Sequence, residues 1–579
     1  MIEIQNNECM GCESCKMICP KNAISFNFKF GFKYPLIDSS KCIDCNLCKK
    51  VCPAICNEEN NSSYQLYASW IKEDEIRKQS TSGGICYALS KFIIEQGGYV
   101  AGVVWDENYR NAKYEVVNTI DGLNAISQTK YFQPNMNNVF SKIQELLDKN
   151  QTVLFIGTSC TNSGLRLFLR KNYKNLYCCD FICRGYTSQM YHKKRVDYLE
   201  KKFHSKIIKI QYKNKDKGWN NFGTKFWFEN GKSVYINRFN DPYELLFTKD
   251  DFNTRPSCYN CKFRKLPRNS DITVGDFWAI KNVPEKANYL GVSAVIISST
   301  KGQFLFESIK EKLYSEKRDV NELVKGNYAL LNQLKRNEGS EQFFEDLNNL
   351  SFEDFNKKYL PKRETRMKKY LRFIRNVFRC NIFVFIYYNF LCNKVSRKRN
   401  AFIFPVRGTK IELHKNSKLI LNKNLYLNYP KHKFSNEQTY LKILNNGVFQ
   451  INGVCTFAAN NTIEINNDAR FSTGKLETNY GTTIVCGNVI ECGDDIGIGR
   501  NVTIYDNNFH STGLNKNVKM KPLVIGDHVW ICTGVTIAKG VKIDDGAICS
   551  INSTITRNVA ARTMVSGNPA KEVMINVKW

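Results

Sequence analysis

Two cysteine runs of the form C-x2-C-x2-C-x3-C-P stand near the start of the chain: Cys9, Cys12, Cys15 and Cys19-Pro20, then Cys42, Cys45, Cys48 and Cys52-Pro53. Thiolates at this spacing hold [4Fe-4S] clusters, and the fourth cysteine of each run ligates the other cluster because the turn after the third points its side chain away. The expected ligand sets are Cys9, Cys12, Cys15 and Cys52 for one cluster, and Cys42, Cys45, Cys48 and Cys19 for the second. Zinc is the competing metal, but it usually takes two separated C-x2-C pairs rather than three cysteines in a row. Chemistry of this kind moves single electrons.

Further along, Cys258 and Cys261 form a C-x2-C pair, and Cys160 and Cys183 each follow an apolar strand whose end can present a thiolate. These four are candidates for a third [4Fe-4S] cluster. The alternative is that only the pair binds metal, and Cys178 and Cys179 are rival ligands beside Cys183. Ser82-Gly83-Gly84 opens a predicted helix and offers backbone N–H groups and a hydroxyl to a diphosphate; alone, such a string is more often a turn or helix cap. Asp276 in VGDFW either orients a cofactor or caps a turn.

One of the six histidines, His510, stands where a six-residue rhythm breaks between Tyr505 and Pro522, which implies a loop leaving a regular coil. A histidine on such a loop, titrating near neutrality, suits a general base. His528, inside IGDHVW, reads instead as a coil-surface residue.

The elements that must carry these residues differ along the chain. Residues 1–57 are a ferredoxin-like module with little core of its own, so metal binding should supply much of its folding free energy. Residues 64–358 alternate helical segments such as ICYALSKFIIEQ with apolar strands such as YVAGVVW, TVLFIG and AVIIS, the pattern of an α/β domain. Residues 359–409 are a basic, aromatic connector. Beyond it, aliphatic residues recur every six positions: Ile484, Ile490, Ile496 and Val502, then Ile525, Ile531, Ile537 and Ile543. A second register runs Val529, Val535, Val541 and Ala547, and an earlier series runs Ile451, Phe457, Ile463 and Ala469. A period of six fits a solenoid of three short faces with one inward residue per face, so residues 410–579 are expected to form a parallel β-helix.

The 579 residues are too many for one core. The formal charge of +30 overstates the basicity, because each cubane with its four thiolates carries a net charge near −2. Lys and Arg are scattered apart from a dense stretch at 361–399, so nucleic acid is not the expected partner; coenzyme A, acidic glycan intermediates or a membrane surface account for the charge as well. The start MIEIQNNECMGC has no apolar signal region, and with 23 clustered cysteines a reducing cytoplasm is expected.

Several ordered strings in the first 350 residues resemble the coenzyme F420 hydrogenase/dehydrogenase beta-subunit family of iron-sulfur flavoproteins. They are GFKYPLID, STSGGICYAL, LFIGTSC, FICRG, RPSCYNCKF and SDITVGDFW. The resemblance implies FAD, a further cluster and electron exchange with a two-electron acceptor, FAD being the converter between one- and two-electron chemistry. The chain departs from the pattern at Ser159, where the family has proline, and at Arg184, where it has histidine, which puts F420 itself in doubt.

The strings VTIYDNNFHS, IGDHVWICTGVTIAKGVKIDDGA and VSGNPAKEV resemble left-handed β-helix O-acetyltransferases of the hexapeptide-repeat class, including the galactoside and maltose type. That resemblance implies acetyl-CoA as cosubstrate, a sugar or glycan acceptor and a homotrimer. It implies His510 as the base, Asn479 as a residue positioning the acceptor, and Gly534 with Gly567, Asn568, Pro569, Ala570 and Lys571 along the coenzyme A arm.

The apolar part of KYLRFIRNVFRCNIFVFIYYNFLC in the connector is too short to span a bilayer. It is expected either to lie in the interface of an anionic membrane surface on the cytoplasmic face or to be a packing helix at the base of the trimer. The leading expectation is a bifunctional enzyme of surface-glycan biosynthesis, an iron-sulfur flavoprotein oxidoreductase fused to an O-acetyltransferase. The rival readings are a redox module on an inactive trimerising coil, and an F420-dependent oxidoreductase. The redox partner is not legible.

Overall fold

The α/β and solenoid textures of the sequence become two structural units in the computed structural model, Met1–Lys362 and Arg363–Trp579. The structure describes residues 4–56, 63–248, 251–360, 366–429, 437–507 and 521–579.

In the first unit, a hairpin of β1 (Ile24–Lys29) and β2 (Phe32–Ile37) separates the two cysteine runs. The chain then forms β3 (Gln65–Ile71), β4 (Tyr99–Trp105), β5 (Ala112–Val117), β6 (Val153–Gly157) and β7 (Leu176–Phe181). A separate antiparallel sheet holds β8 (Ile207–Asn214), β9 (Gly223–Phe228) and β10 (Ser233–Asn237). The last strands are β11 (Ile272–Asp276), β12 (Ser293–Ile297) and β13 (Leu313–Lys317). The main sheet has the order β13-β3-β12-β11-β7-β6-β4-β5, with β11, β7, β6 and β4 parallel and the flanking strands antiparallel.

Helices cover both faces, which is why the inner strands are short, continuous apolar runs rather than alternating ones. Ile85–Glu95 and Thr300–Ile309 pack on one face. Val139–Asp148 and Ser159–Leu169 pack on the other. The carboxyl ends of β6, β7 and β11 lie side by side, and the chain leaves them through Cys160, Cys183 and Asp276.

The N-terminal module has more core than its composition suggests, because it borrows one. Phe32 and Tyr34 of the hairpin are buried with Tyr191, Phe343 and Phe344 of the α/β domain.

In the second unit, three sheets of seven, nine and seven strands, parallel except for the last strand of the nine-stranded one, make the faces of a triangular β-helix. Every residue of the six-residue series named above is buried in its core. Identical side chains stack from coil to coil: Ile463, Ile484, Ile504, Ile537 and Ile555 pair in one ladder. Ile537 pairs with Ile555, eighteen residues on (555 − 537), whereas Ile504 pairs with Ile537, thirty-three on (537 − 504). The extra residues fall between Asp506 and Leu523, where the rhythm breaks.

The coil starts earlier than residue 410. Val395–Arg397 and Ile403–Pro405 already pair in parallel with the next coil. Ala401 and Ile403 enter the coil core, while Phe402 and Phe404 face outward onto Phe373 and Phe385 and so mask the six-residue period. The far end closes with an antiparallel hairpin, Thr563–Gly567 with Ala570–Ile575.

Because Ile537 is fully buried in a ladder of isoleucines, Ile537→Ala should destabilise the coil by about 2–5 kcal/mol. A lower urea midpoint for the coil transition checks this.

Candidate functional site

The fourth cysteine of each run stands beside the first three of the other. Cys9, Cys12, Cys15 and Cys52 line one hollow of the module, and Cys19, Cys42, Cys45 and Cys48 line another. Among the described residues, no three His, Cys, Asp or Glu side chains converge on a point that would hold a single metal ion. A zinc site would draw its thiolates to about 2.3 Å from one centre, so quartets spread around hollows fit a larger group such as a cubane. Burial pushes Cys12 up to about 12 despite its contact with the Ser14 hydroxyl, and the nearby Cys52 and Cys9 add to the rise. Such thiols ionise only when a cation is supplied, which iron does when bound.

A third group of four thiols gathers at the carboxyl end of the sheet. Cys160 lies in the first turn of the helix Ser159–Leu169 and Cys258 on the turn Pro256–Cys258. Cys160 is raised first by burial, then by Cys261, Cys183 and Cys258. Cys183 is raised to about 12 by burial and by Cys258 and Cys261. The four candidate thiols are therefore mutual neighbours.

The rivals Cys178 and Cys179 stand elsewhere. Successive residues of β7 point to opposite faces, so Cys178 sits in the core on one side and Cys179 on the other, 3.9 Å from Cys86.

Close approach at this quartet depends on Gly185, where a Cβ would stand 3.1 Å from the Cβ of Cys258 at a φ of +151°. Arg184, the departure from the family pattern, donates to Asp251 and to the carbonyls of Phe247 and Thr248, so it fastens a helix end.

Sequence reasoning missed the residues that hold this end of the sheet. The buried Asp180 carboxylate accepts from Ser159 at 2.5 Å and Arg268 at 2.9 Å, tying β7 to the helix that carries Cys160. Arg255, also buried, donates to the carbonyls of Cys9 and Lys33 and to the Gln133 amide oxygen. It thereby fastens the N-terminal module three residues before Cys258. Arg255 opens the quoted string RPSCYNCKF and Arg268 stands just before SDITVGDFW, but nothing in their spacing marks them as clamps.

One helical turn after Cys160, Gly164 lets the module dock. A Cβ there would stand 3.1 Å from the Sγ of Cys12, and the Gly164 carbonyl accepts from Ser14.

Ser82-Gly83-Gly84, the expected diphosphate contact, stands where β3 and β12 meet the helix Ile85–Glu95. Ser82 donates to the Val292 carbonyl, and the Gly83 N–H donates to the Ser293 hydroxyl. Gly84, at φ +88°, turns the chain into the helix. The string joins strand and helix, with the Ser82 hydroxyl and the Gly83 N–H bonded inside the protein.

Asp276 pairs with Lys213 and accepts from the Trp219 indole at 2.8 Å. Around it, Arg238 stands over the rings of Phe222 and Trp278. Nearby Glu244 is raised to about 7 by burial, against the pull of Lys213. This charged, aromatic cluster was not anticipated.

On the coil, His510 lies outside the described residues. At the root of that stretch, the buried Asp506 carboxylate accepts from the N–H groups of Gly487 at 2.5 Å and Asn488 at 2.8 Å. Asn479 is half-buried at a corner, where its side-chain oxygen accepts from the N–H of Tyr480. Gly534 is a corner residue at φ +73° stacked over Asn552. Gly567 and Ala570 close the terminal hairpin, with Asn568 and Pro569 at its tip and Lys571 exposed on the returning strand. His528 is held against the coil surface between Asp495 and Trp579.

Comparison with known proteins assigns the front of the chain. A 4Fe-4S dicluster model matches residues 8–56, and a model of the C terminus of the coenzyme F420 hydrogenase/dehydrogenase beta subunit matches residues 150–322. The chain carries both domains. The second match is narrower than the expected 64–358 and spans all four cysteines of the sheet-end quartet.

The coil is similar to acetyltransferases. A probable macrolide acetyltransferase of Lysinibacillus sphaericus is 42% identical over 77 residues, 12% of this chain and 43% of that protein. The galactoside O-acetyltransferase of Escherichia coli is 29% identical over 98 residues, 16% of this chain and 48% of that protein. A putative colanic acid biosynthesis acetyltransferase of E. coli is 27% identical over 109 residues, 16% and 60% respectively. The chain spans about half the length of these curated relatives.

Two outcomes follow from the site's packing. Gly164→Leu should loosen the module, seen as faster proteolysis between the cysteine runs. Glu244 contributes stability below its unfolded pKa near 4.5 and loses it as pH rises through about 7. Glu244→Gln should flatten that fall, which amounts to about 3 kcal/mol at most, in urea titrations across this range.

Proposed function

We propose that the chain is an iron-sulfur flavoprotein oxidoreductase fused to an acetyl-CoA-dependent O-acetyltransferase of surface-glycan biosynthesis, assembled as a homotrimer. The observation that carries it is the gathering of twelve cysteines into three quartets in one unit, with an acetyltransferase-like coil as the other.

Cys9, Cys12, Cys15 and Cys52 would hold one [4Fe-4S] cluster, Cys19, Cys42, Cys45 and Cys48 a second, and Cys160, Cys183, Cys258 and Cys261 a third. When bound, these clusters supply one-electron transfer and FAD converts it to two-electron chemistry. The flavin rests on the family likeness; the residues nearest to suiting it are those around Asp276. The chain's own contribution is to hold the thiols in place, through Asp180 and Arg255 among others, and to bury the Cys160, Cys183 and Cys258 thiols at the end of the sheet.

In the coil, a sugar hydroxyl attacks the thioester carbon of acetyl-CoA, the C–S bond breaks and coenzyme A leaves. His510 takes the hydroxyl proton and returns it to the leaving sulfur. The glycan acceptor is supported by the galactoside and colanic acid relatives. Among the described residues, no helix is long and apolar enough to cross a membrane. A reducing cytoplasm, which keeps clustered thiols available to iron, suits the redox half.

Anaerobic purification should give about twelve irons and one FAD per chain, counting four irons per cubane. Cys258→Ser should retain only about eight irons, whereas Cys178→Ser should keep the full complement. An equal loss in both would remove the third cluster from its assigned ligands. His510→Ala should slow coenzyme A release with a sugar acceptor by about 10² or more.

A further inference from the structure

We propose that the two amphipathic helices at the start of the C-terminal unit dock this protein on an anionic membrane surface. The first, Arg366–Arg379, seats Asn376, Phe373 and Val377 against the coil, next to Phe402 and Phe404. At 100° per residue, the side turned away from that buried face carries large exposed apolar side chains: Met367 is 63% exposed, Leu371 55% and Phe378 77%. The next sector carries Arg375 and Arg379.

The second helix, Ile382–Ile386, runs on into a wider turn, Tyr387–Leu391. It is anchored by buried Phe385 and by Asn389, whose amide bonds the main chain of Ile403 on both sides. Its outer stripe follows helical spacing: Phe383 is 80% exposed, Phe390 60% and Leu391 69%. Scattered apolar residues on a surface need no explanation, but a run of this size in two consecutive helices does.

Charge selects the occupant. From Arg366 to Ile411 the chain has no Asp or Glu, while Arg375, Lys398 and Arg399 are exposed in the same stretch. A second copy meeting this face with its own would oppose cation to cation. An anionic lipid surface answers both features, since the apolar stripes enter the headgroup boundary and the cations face phosphates. The helices are too short to span a bilayer, so the attachment is in the plane of the interface.

The test uses the full chain, purified anaerobically, and vesicles of phosphatidylcholine with or without phosphatidylglycerol. Wild type should co-sediment with the phosphatidylglycerol vesicles and not with the neutral ones. Phe378→Ser with Phe383→Ser and Leu391→Ser should weaken binding by about tenfold or more. Arg375→Gln with Lys398→Gln and Arg399→Gln should weaken it to a similar extent, more so at low salt. Folding of the variants is checked by their thermal transitions, and Phe383→Ser alone serves if the triple variant unfolds. No binding, equal binding to both vesicles, or serine variants that bind like wild type would overturn the proposal. A lower sedimenting mass of the serine variants without lipid would assign the face to contacts between copies, and overturn it too.

Discussion

The helix Ser159–Leu169 sets a constraint that the front half of the molecule has to satisfy. It presents Cys160 in its first turn and, about 6 Å further along the axis at 1.5 Å per residue, the bare backbone of Gly164 against Cys12. Two thiol quartets are thereby referred to one rigid element. Asp180 and Arg268 fix the start of that helix to β7, and Arg255 pulls the carbonyl of Cys9 toward the loop that carries Cys258. The small module is a wall of the larger domain's site, and its borrowed aromatic core follows from that position.

Much of this was legible in the residues themselves. The cysteine runs carry their own geometry because the spacing leaves few ways to surround a cluster, and the structure exchanges Cys19 and Cys52 between the two hollows as the spacing requires. The six-residue period is equally direct, since a coil with one inward residue per face has little freedom in register. Ser82-Gly83-Gly84 was less transparent. The same donors that would suit a phosphate also suit a neighbouring strand, and only the tertiary placement of Val292 and Ser293 separates the two.

The first coil was hidden for a different reason. Its inward positions are Val395, Ala401 and Ile403, while Phe402 and Phe404 turn outward to the phenylalanines of the preceding helices, so aromatic residues break up the aliphatic rhythm between Val395 and Val406. The clamps were illegible because an arginine that binds three carbonyl or amide oxygens looks, in sequence, like any other arginine. Its significance is a matter of where the chain returns after more than two hundred residues.

A parallel coil has a particular hazard at its two ends, where the last rung exposes unpaired main chain on every face and invites another coil to continue it. Here one end meets the aromatic helices around Phe385 and Phe404, and the other folds back through the hairpin that ends at Ile575. The antiparallel return strand presents the wrong polarity for a further parallel rung. On the nine-stranded face, therefore, another parallel rung cannot continue the coil.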